Sequence, residues 1–353
     1  MKNKLLFVFG VFSGLLFLYS CNSEIERIDP IQEFKNTEPV SSYRLQASDS
    51  LFKVVDLLSI GDVLIAYDDE MDYLYKIFDV EQDKFLKKFG KFGQGPCELS
   101  GFSFMVRTGE KGEKLGLFER QTREFQEFYL EQVLEYDEDP ECIPFEGKFD
   151  FEIRSVVKVG ENKFVGATLG DKPYTLLEGG KMKGSIGEYP YSSDFKGVNP
   201  MVLALAYQFR LIKHPSKPII LSTSTFSYNM DILEAKDGNN LVINRSLHFW
   251  PPEFRSMETA SETAAPIGKE NRFGNIRTSV SENFIYVLYS DEPWEYQFPL
   301  KSDRVLVYDW DGNPVKILEL DQEVSIIAVP DNDQYLIGYL DDGKANLYRF
   351  ELD

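Results

Sequence analysis

The chain offers few side chains able to do chemistry: two histidines, three cysteines and 58 acidic residues in 353. A Ser/His/Asp hydrolase would have to draw on His214, which precedes Pro215, or on His248, beside Phe249-Trp250-Pro251-Pro252. No Gly-x-Ser-x-Gly elbow is present to expose a nucleophile. Two histidines cannot make a three-His metal site, and no Cys-x-x-Cys occurs. Asp309-Trp310-Asp311-Gly312-Asn313 clusters oxygens as a calcium loop does. It lacks the further ligands and the terminal Glu of an EF-hand, however, and reads better as a hairpin turn. Carboxylate pairs suited to glycoside chemistry arise by chance among so many acids and single out no position. The reading is therefore no catalytic residue, no metal ligand set and no cofactor, with a structural calcium as the exception left open.

One cysteine does carry a reaction. Lys2 and Lys4 precede an apolar run over 5–18, short for a bilayer span, and Leu18-Tyr19-Ser20-Cys21 closes it. This arrangement resembles the bacterial lipobox, which implies a diacylglyceryl thioether on Cys21, cleavage before it and, commonly, acylation of the new amine. An ordinary secretory signal or an uncut anchor is the alternative. On the lipobox reading residues 1–20 are a signal peptide. Residues 21–39, polar and carrying Glu24, Glu26, Asp29 and Glu33, are a flexible acidic tether that extends to about 60 Å. The expected address is the cell envelope, lipid-anchored to a bacterial membrane, with the outer membrane (periplasmic or surface face) ahead of the inner. Cys97 and Cys142 remain. An envelope compartment permits a disulfide between them, and two separate thiols are the alternative.

The formal net charge is −20, and losing Lys2 and Lys4 with a signal peptide makes it more negative. Such a surface repels phosphate backbones and anionic headgroups, so nucleic acid is not an expected partner and membrane contact falls to the acyl chains. No second apolar segment approaches spanning length; 202–206 is too short.

Positioning anything on this chain falls to strands. Phe (28) and Tyr (19) abound alongside Val and Ile. Runs at 52–58, 63–67, 73–79 and 84–89, divided by turn clusters, predict a four-stranded antiparallel meander. Runs at 115–119 and 125–130 belong to a second, ragged unit. A third spans 153–159, 164–169, 174–178 and 182–187, and a fourth 209–213, 219–223, 229–234 and 241–247. The fifth, with 283–290, 304–309 and 315–320, is interrupted by 257–268. The sixth has only three runs, 324–329, 335–340 and 345–351, and a strand near 40–45 is expected to supply its fourth. Units of this size and strand number predict an all-β, six-bladed β-propeller over 40–353, a monomer closed by its N-terminal strand, rather than two sandwiches. Two segments break the cadence. Asn199-Pro200 caps a predicted helix over 201–207, and helical apolar spacing suggests another over 124–136.

Phe89-Gly90-Lys91-Phe92-Gly93-Gln94-Gly95-Pro96-Cys97-Glu98 forces a tight path out of the first unit. It lacks the spacing and the Lys-Ser/Thr of a phosphate cradle. It resembles the Gly-x-x-Gly-x-Gly-Pro-Gly-Glu connection of the TolB-like or NHL-like six-bladed propeller lipoproteins of gut anaerobes, with Cys97 in place of the last Gly. Ala206-Tyr207-Gln208, His214-Pro215-Ser216-Lys217 and Met230-Asp231-Ile232-Leu233 resemble the helix entry, His-Pro turn and apolar strand of the same family. The resemblance implies the propeller fold and no established activity.

Tyr189, Tyr191, Phe195, Phe249, Trp250 and Trp294 fall in Pro- or Gly-rich connections. If clustered at one end of the ring they would offer stacking faces to a glycan or anchors to a protein; packing under loops is the alternative. The function expected is a non-catalytic binding scaffold that meets a protein or glycan on one annular face. The competing class is a propeller hydrolase or lyase, which would need inward carboxylates or a calcium ion converging in the channel.

Overall fold

The computed structural model describes residues 27–109, 112–145, 148–259, 262–296 and 300–352. The lipobox cysteine Cys21 and the leader 1–20 lie outside them. Strands rich in β-branched and aromatic residues pair into six antiparallel blades around a channel. From the innermost strand outward, blade 1 comprises Val54–Ile60, Val63–Asp68, Tyr73–Asp79 and Lys84–Lys91. Blade 2 comprises Ser103–Thr108, Lys114–Glu119, Glu124–Tyr129 and Ile143–Pro144. Blade 3 comprises Ile153–Gly160, Lys163–Thr168, Tyr174–Glu178 and Lys181–Ile186. Blade 4 comprises Arg210–Lys213, Ile219–Thr223, Tyr228–Lys236 and Asn240–Trp250, and blade 5 Arg272–Val280, Phe284–Pro293, Ser302–Asp309 and Pro314–Val324.

Blade 6 takes Ile326–Ala328, Tyr335–Asp341 and Ala345–Glu351 from the C-terminus and Ser42–Arg44 from the N-terminus. Ser42 lies opposite Phe350 and Arg44 opposite Tyr348, so one blade joins both ends of the chain and closes the ring as expected. Thr37–Val40 adds a fifth, parallel strand to blade 5, with Thr37 opposite Ile317, and covers that edge. Within the expected tether over 21–39, the described residues 27–39 are therefore docked on the ring. From Arg27 onward the segment lies on the ring: Ile28 N donates to Phe249 O, Pro30–Glu33 forms a 3₁₀ turn, and Phe34 packs edge-on against Tyr308 at 5.1 Å. Isolated anchors such as Ile31 and Phe34 leave no periodic signal, which is why the stretch reads as linker.

Middle strands are buried on both faces because each blade is stacked between two others, whereas outer strands such as Lys181–Ile186 face solvent. Blade 1 meets blade 6 through Leu64, Phe78, Tyr335 and Tyr339. The helix predicted near 201–207 is Pro200–Tyr207, with Asn199 Oδ1 accepting from Met201 N at 2.9 Å. The helix suggested over 124–136 is strand Glu124–Tyr129 followed by a short helix Leu130–Glu135. Phe125 and Phe128 belong to the strand and Val133 to the helix, and their combined spacing mimics one periodic face. The interruption at 257–268 contains a small hairpin of Met257–Glu258 and Thr263–Ala264. Among the described residues no helix is long and apolar enough to cross a membrane.

Candidate functional site

Because strands alternate in direction, the N-terminal ends of the six innermost strands share one face of the ring. This upper face also holds the turns between second and third strands and the connections between blades. The channel between the innermost strands carries its charges in two tiers. In the upper tier Arg210 of blade 4 reaches across to Asp56 of blade 1, Nη2 to Oδ2 at 2.5 Å. Arg277 of blade 5 donates through Nη2 to Val55 O at 3.3 Å, and its Nε has no acceptor. Burial lowers the Arg277 pKa, and Arg210 lowers it further while Asp56 opposes. In the lower tier Arg107 of blade 2 binds both Asp331 and the Ser59 carbonyl. Lys213 of blade 4 lines the cavity at the same level. Burial lowers its pKa, the Arg107 charge adds to the effect, and Glu113 and Glu282 oppose it. Between the tiers, Leu58, Met105, Val157 and Ile212 help line a cavity of about 50 Å³.

The channel thus inverts the sign of the molecule. Inside a ring of net charge −20, the charged residues lining the cavity are Arg107, Arg210 and Lys213, with Asp331 and Asp56 paired to the two arginines. The inward carboxylates that a channel hydrolase or lyase would need do not converge, since each is held by its own arginine. Among the described residues no group of three or more His, Cys, Asp or Glu could hold a metal ion. In the hairpin turn after blade 5's third strand, Asp309 Oδ1 accepts from Asp311 N and Asn313 N, and Oδ2 accepts from Asn313 Nδ2. That carboxylate fastens the turn. His214 Nδ1 likewise accepts from Ser216 N and Lys217 N, and the ring packs on Trp310 at 4.6 Å. Burial, with help from Lys217, lowers its pKa to about 4, so it is a neutral turn cap at pH 7. His248 bonds Asp231, which also accepts from Tyr174 and Ser246, in a cluster that ties blade 3 to blade 4.

The loop aromatics do not gather into a stacking face. Tyr189 is buried against Tyr207 and Phe209. Phe249 and Trp250 end the outer strand of blade 4, buried against Tyr228, and Trp250 Nε1 donates to Arg272 O at 3.0 Å. Tyr191 is half-buried and donates to His248 O, and Phe195 packs on Phe254. Trp294 is exposed, beside Phe273. Pro and Gly neighbours marked these positions as connections, but connections between stacked blades roof a large core and bury their aromatics.

A different apolar patch lies on the upper face, over blades 1 and 2. Phe52 is 67% exposed and Met71 85%, with Phe92 and Phe102 also exposed. Phe102 packs edge-on against Tyr67 and Phe104, and Phe92 N donates to the carbonyl of Asp72, next to Met71. Phe92 belongs to the glycine-rich motif. Within it Gly90 has φ +73°, and a Cβ there would lie 2.6 Å from Tyr75. Gly95 N donates to Glu98 Oε2, and Cys97, in the place of a glycine, adopts φ +63°. Cys97 is bonded to Cys142, Cα–Cα 5.4 Å, which fastens this loop to blade 2.

On the lower side, between blades 2 and 3, a groove of about 850 Å³ is lined by Lys114, Lys158, Lys217, Glu127 and Glu161 among others, with Phe145 in its wall. Lys158 is paired with Glu127 there.

A family model described as TolB-like 6-blade propeller-like matches residues 52–332. A solved protein of Bacteroides fragilis, described as exported, superimposes with a TM-score of 0.52 at 10% identity, covering 90% of this chain and 99% of its own. The Cps50 (Swd1) β-propeller domain of Myceliophteria thermophila superimposes with a TM-score of 0.43 at 11% identity, covering 85% of this chain and 99% of that one. No curated protein matches the sequence.

Proposed function

The chain belongs to the TolB-like six-bladed propeller family, and from that premise we propose that it is an envelope-anchored, non-catalytic scaffold engaging a protein partner through its upper face. The observation that carries this reading is the exposed patch of Phe52, Met71, Phe92 and Phe102. Methionine and phenylalanine side chains fill irregular pockets on a partner, and exposed apolar clusters of this kind are anchors for protein contacts. A glycan would favour flat aromatic platforms, and Tyr189, Phe249 and Trp250 are packed inside instead. The lipobox supports anchoring through Cys21 acyl chains, and the likeness to an exported protein of Bacteroides fragilis accords with an envelope address.

Two measurements test it. Cys21→Ser moves the protein from the membrane to the soluble fraction and abolishes fatty-acid labelling; retention of both refutes the anchor. A photo-cross-linker replacing Met71 in intact cells gives a discrete protein adduct that Phe52→Ser with Phe102→Ser removes. The same cross-linker at exposed Met182, on the outer strand of blade 3, does not give that adduct. Adducts to glycan alone, or the same adduct from both positions, refute a protein partner at this patch.

A further inference from the structure

We propose that the upper tier of the channel is a binding site for a small oxyanion, a carboxylate or phosphate group held between Arg210 and Arg277. The site is distinct from the apolar patch and does not depend on what the patch binds.

Three independent features converge there. The first is donor surplus. A guanidinium has five N–H groups, and Arg277, deep in the ring, uses one bond to a protein acceptor, the 3.3 Å contact with Val55 O. Its Nε is shielded from solvent with no acceptor, a costly condition for a charged group. The second is charge surplus. Asp56, the carboxylate in this tier, is hydrogen-bonded by Arg210 at 2.5 Å and takes Leu57 N on its other oxygen at 3.1 Å, so one carboxylate is shared between the charges of two arginines. The third is access. Arg210 keeps 27% of its side-chain surface, and it lines the channel cavity together with Thr278. The two guanidiniums come from neighbouring blades and interact electrostatically, and together they present the forked donors that suit carboxylate and phosphate oxygens. Their low-dielectric surroundings strengthen the attraction.

The outside of the molecule makes this selective. A surface of net charge −20 discourages polyanions from approaching, while a single small anion carries little of that penalty and meets an inverted field once inside the mouth. The chemistry therefore favours one anionic head on a small molecule over a nucleic acid or an anionic membrane.

The test uses the full-length protein in detergent, titrated calorimetrically with sodium phosphate and, separately, with sodium malonate, at constant ionic strength made up with chloride. The expected result is saturable binding of at least one of the two with one-to-one stoichiometry. A phosphate-only response assigns the site to phosphate groups and a malonate-only response to carboxylates; either supports the proposal. Arg277→Lys, which keeps the charge but loses the fork, weakens binding at least tenfold, and Arg277→Gln abolishes it. Phe52→Ser with Phe102→Ser leaves it unchanged. Should Arg277→Gln fail to fold, Arg277→Lys together with anomalous scattering from selenate soaked into crystals locates the anion. Binding of neither anion, unchanged binding in Arg277→Lys, or a selenate peak away from Arg210 and Arg277 overturns the proposal.

Discussion

Acid should loosen this ring through His214. Its side chain is fully buried, and Nδ1 already accepts two backbone N–H groups, from Ser216 at 3.1 Å and Lys217 at 3.2 Å. Protonation would set a third proton against those donors, and burial first, then Lys217, lowers the pKa from 6.5 to about 4. The unfolded chain therefore takes up a proton at a higher pH than the folded one. The contribution is fully present above pH 6.5 and is lost as pH falls towards 4; the gap corresponds to roughly 3 kcal/mol. His214→Asn isolates the effect, since an Asn oxygen can accept from the amides two and three residues on. Losing the ring against Trp310 should cost about 1–3 kcal/mol at pH 7.5. In urea unfolding followed by tryptophan fluorescence, the difference between wild type and variant should then shrink by roughly 2–3 kcal/mol at pH 4.5. Parallel pH profiles for the two proteins, or a His214 ring titrating near 6.5 by NMR, would refute the reasoning.

Other perturbations probe the packing. Lys76 is 4% exposed and bonds Asp68 at 2.6 Å, Glu70 at 2.8 Å and Ser50 O at 2.6 Å. Lys76→Met strands a fully buried carboxylate and should cost about 3–5 kcal/mol in chemical denaturation. At Gly338 an added Cβ would lie 2.5 Å from Val324 Cγ1 and 2.9 Å from Phe350 in blade 6, so Gly338→Ala should cost about 1–3 kcal/mol by the same assay. The Cys97–Cys142 bond closes a loop of 45 residues, and Cys97→Ser with Cys142→Ser should cost about 4 kcal/mol, the loop-closure value. Reductant should reproduce that loss in wild type and leave the variant unaffected.

The middle strands of the blades were legible because burial on both faces makes them nearly continuous apolar runs, as in 63–67 and 73–79. Two of the six innermost strands were not. Ser103–Thr108 and Arg272–Val280 carry Arg107 and Arg277, and a charge within a short run reads as a break in a strand. Arg277 is one of the two arginines of the channel site. Their convergence leaves no local trace, since Arg277 meets Val55 from 222 residues away, brought there by ring closure alone. The hydrophobic patch was hidden for a related reason. Phe52 reads as the beginning of the run 52–58, and only the direction in which that strand enters its blade turns it to the upper face. Conversely, Trp250 looks like a loop residue and ends an eleven-residue strand.

The docking of the N-terminal segment has a consequence for posture. Arg27 lies over Trp250, whose indole bonds the first residue of blade 5's inner strand, so the chain leaves the ring at the rim of blades 4 and 5 on the upper face. From an acylated Cys21 to Arg27 the covalent reach is at most about 20 Å. Under the proposed anchoring, such a leash would be short and off-centre. It would hold the molecule like a hatch, with the fastened edge close to the lipid and the edge opposite, where blade 1 presents Phe52 and Met71, swinging widest. A partner would have to be met in the wedge between ring and bilayer, and lengthening the leash would change the encounter without altering a single contact.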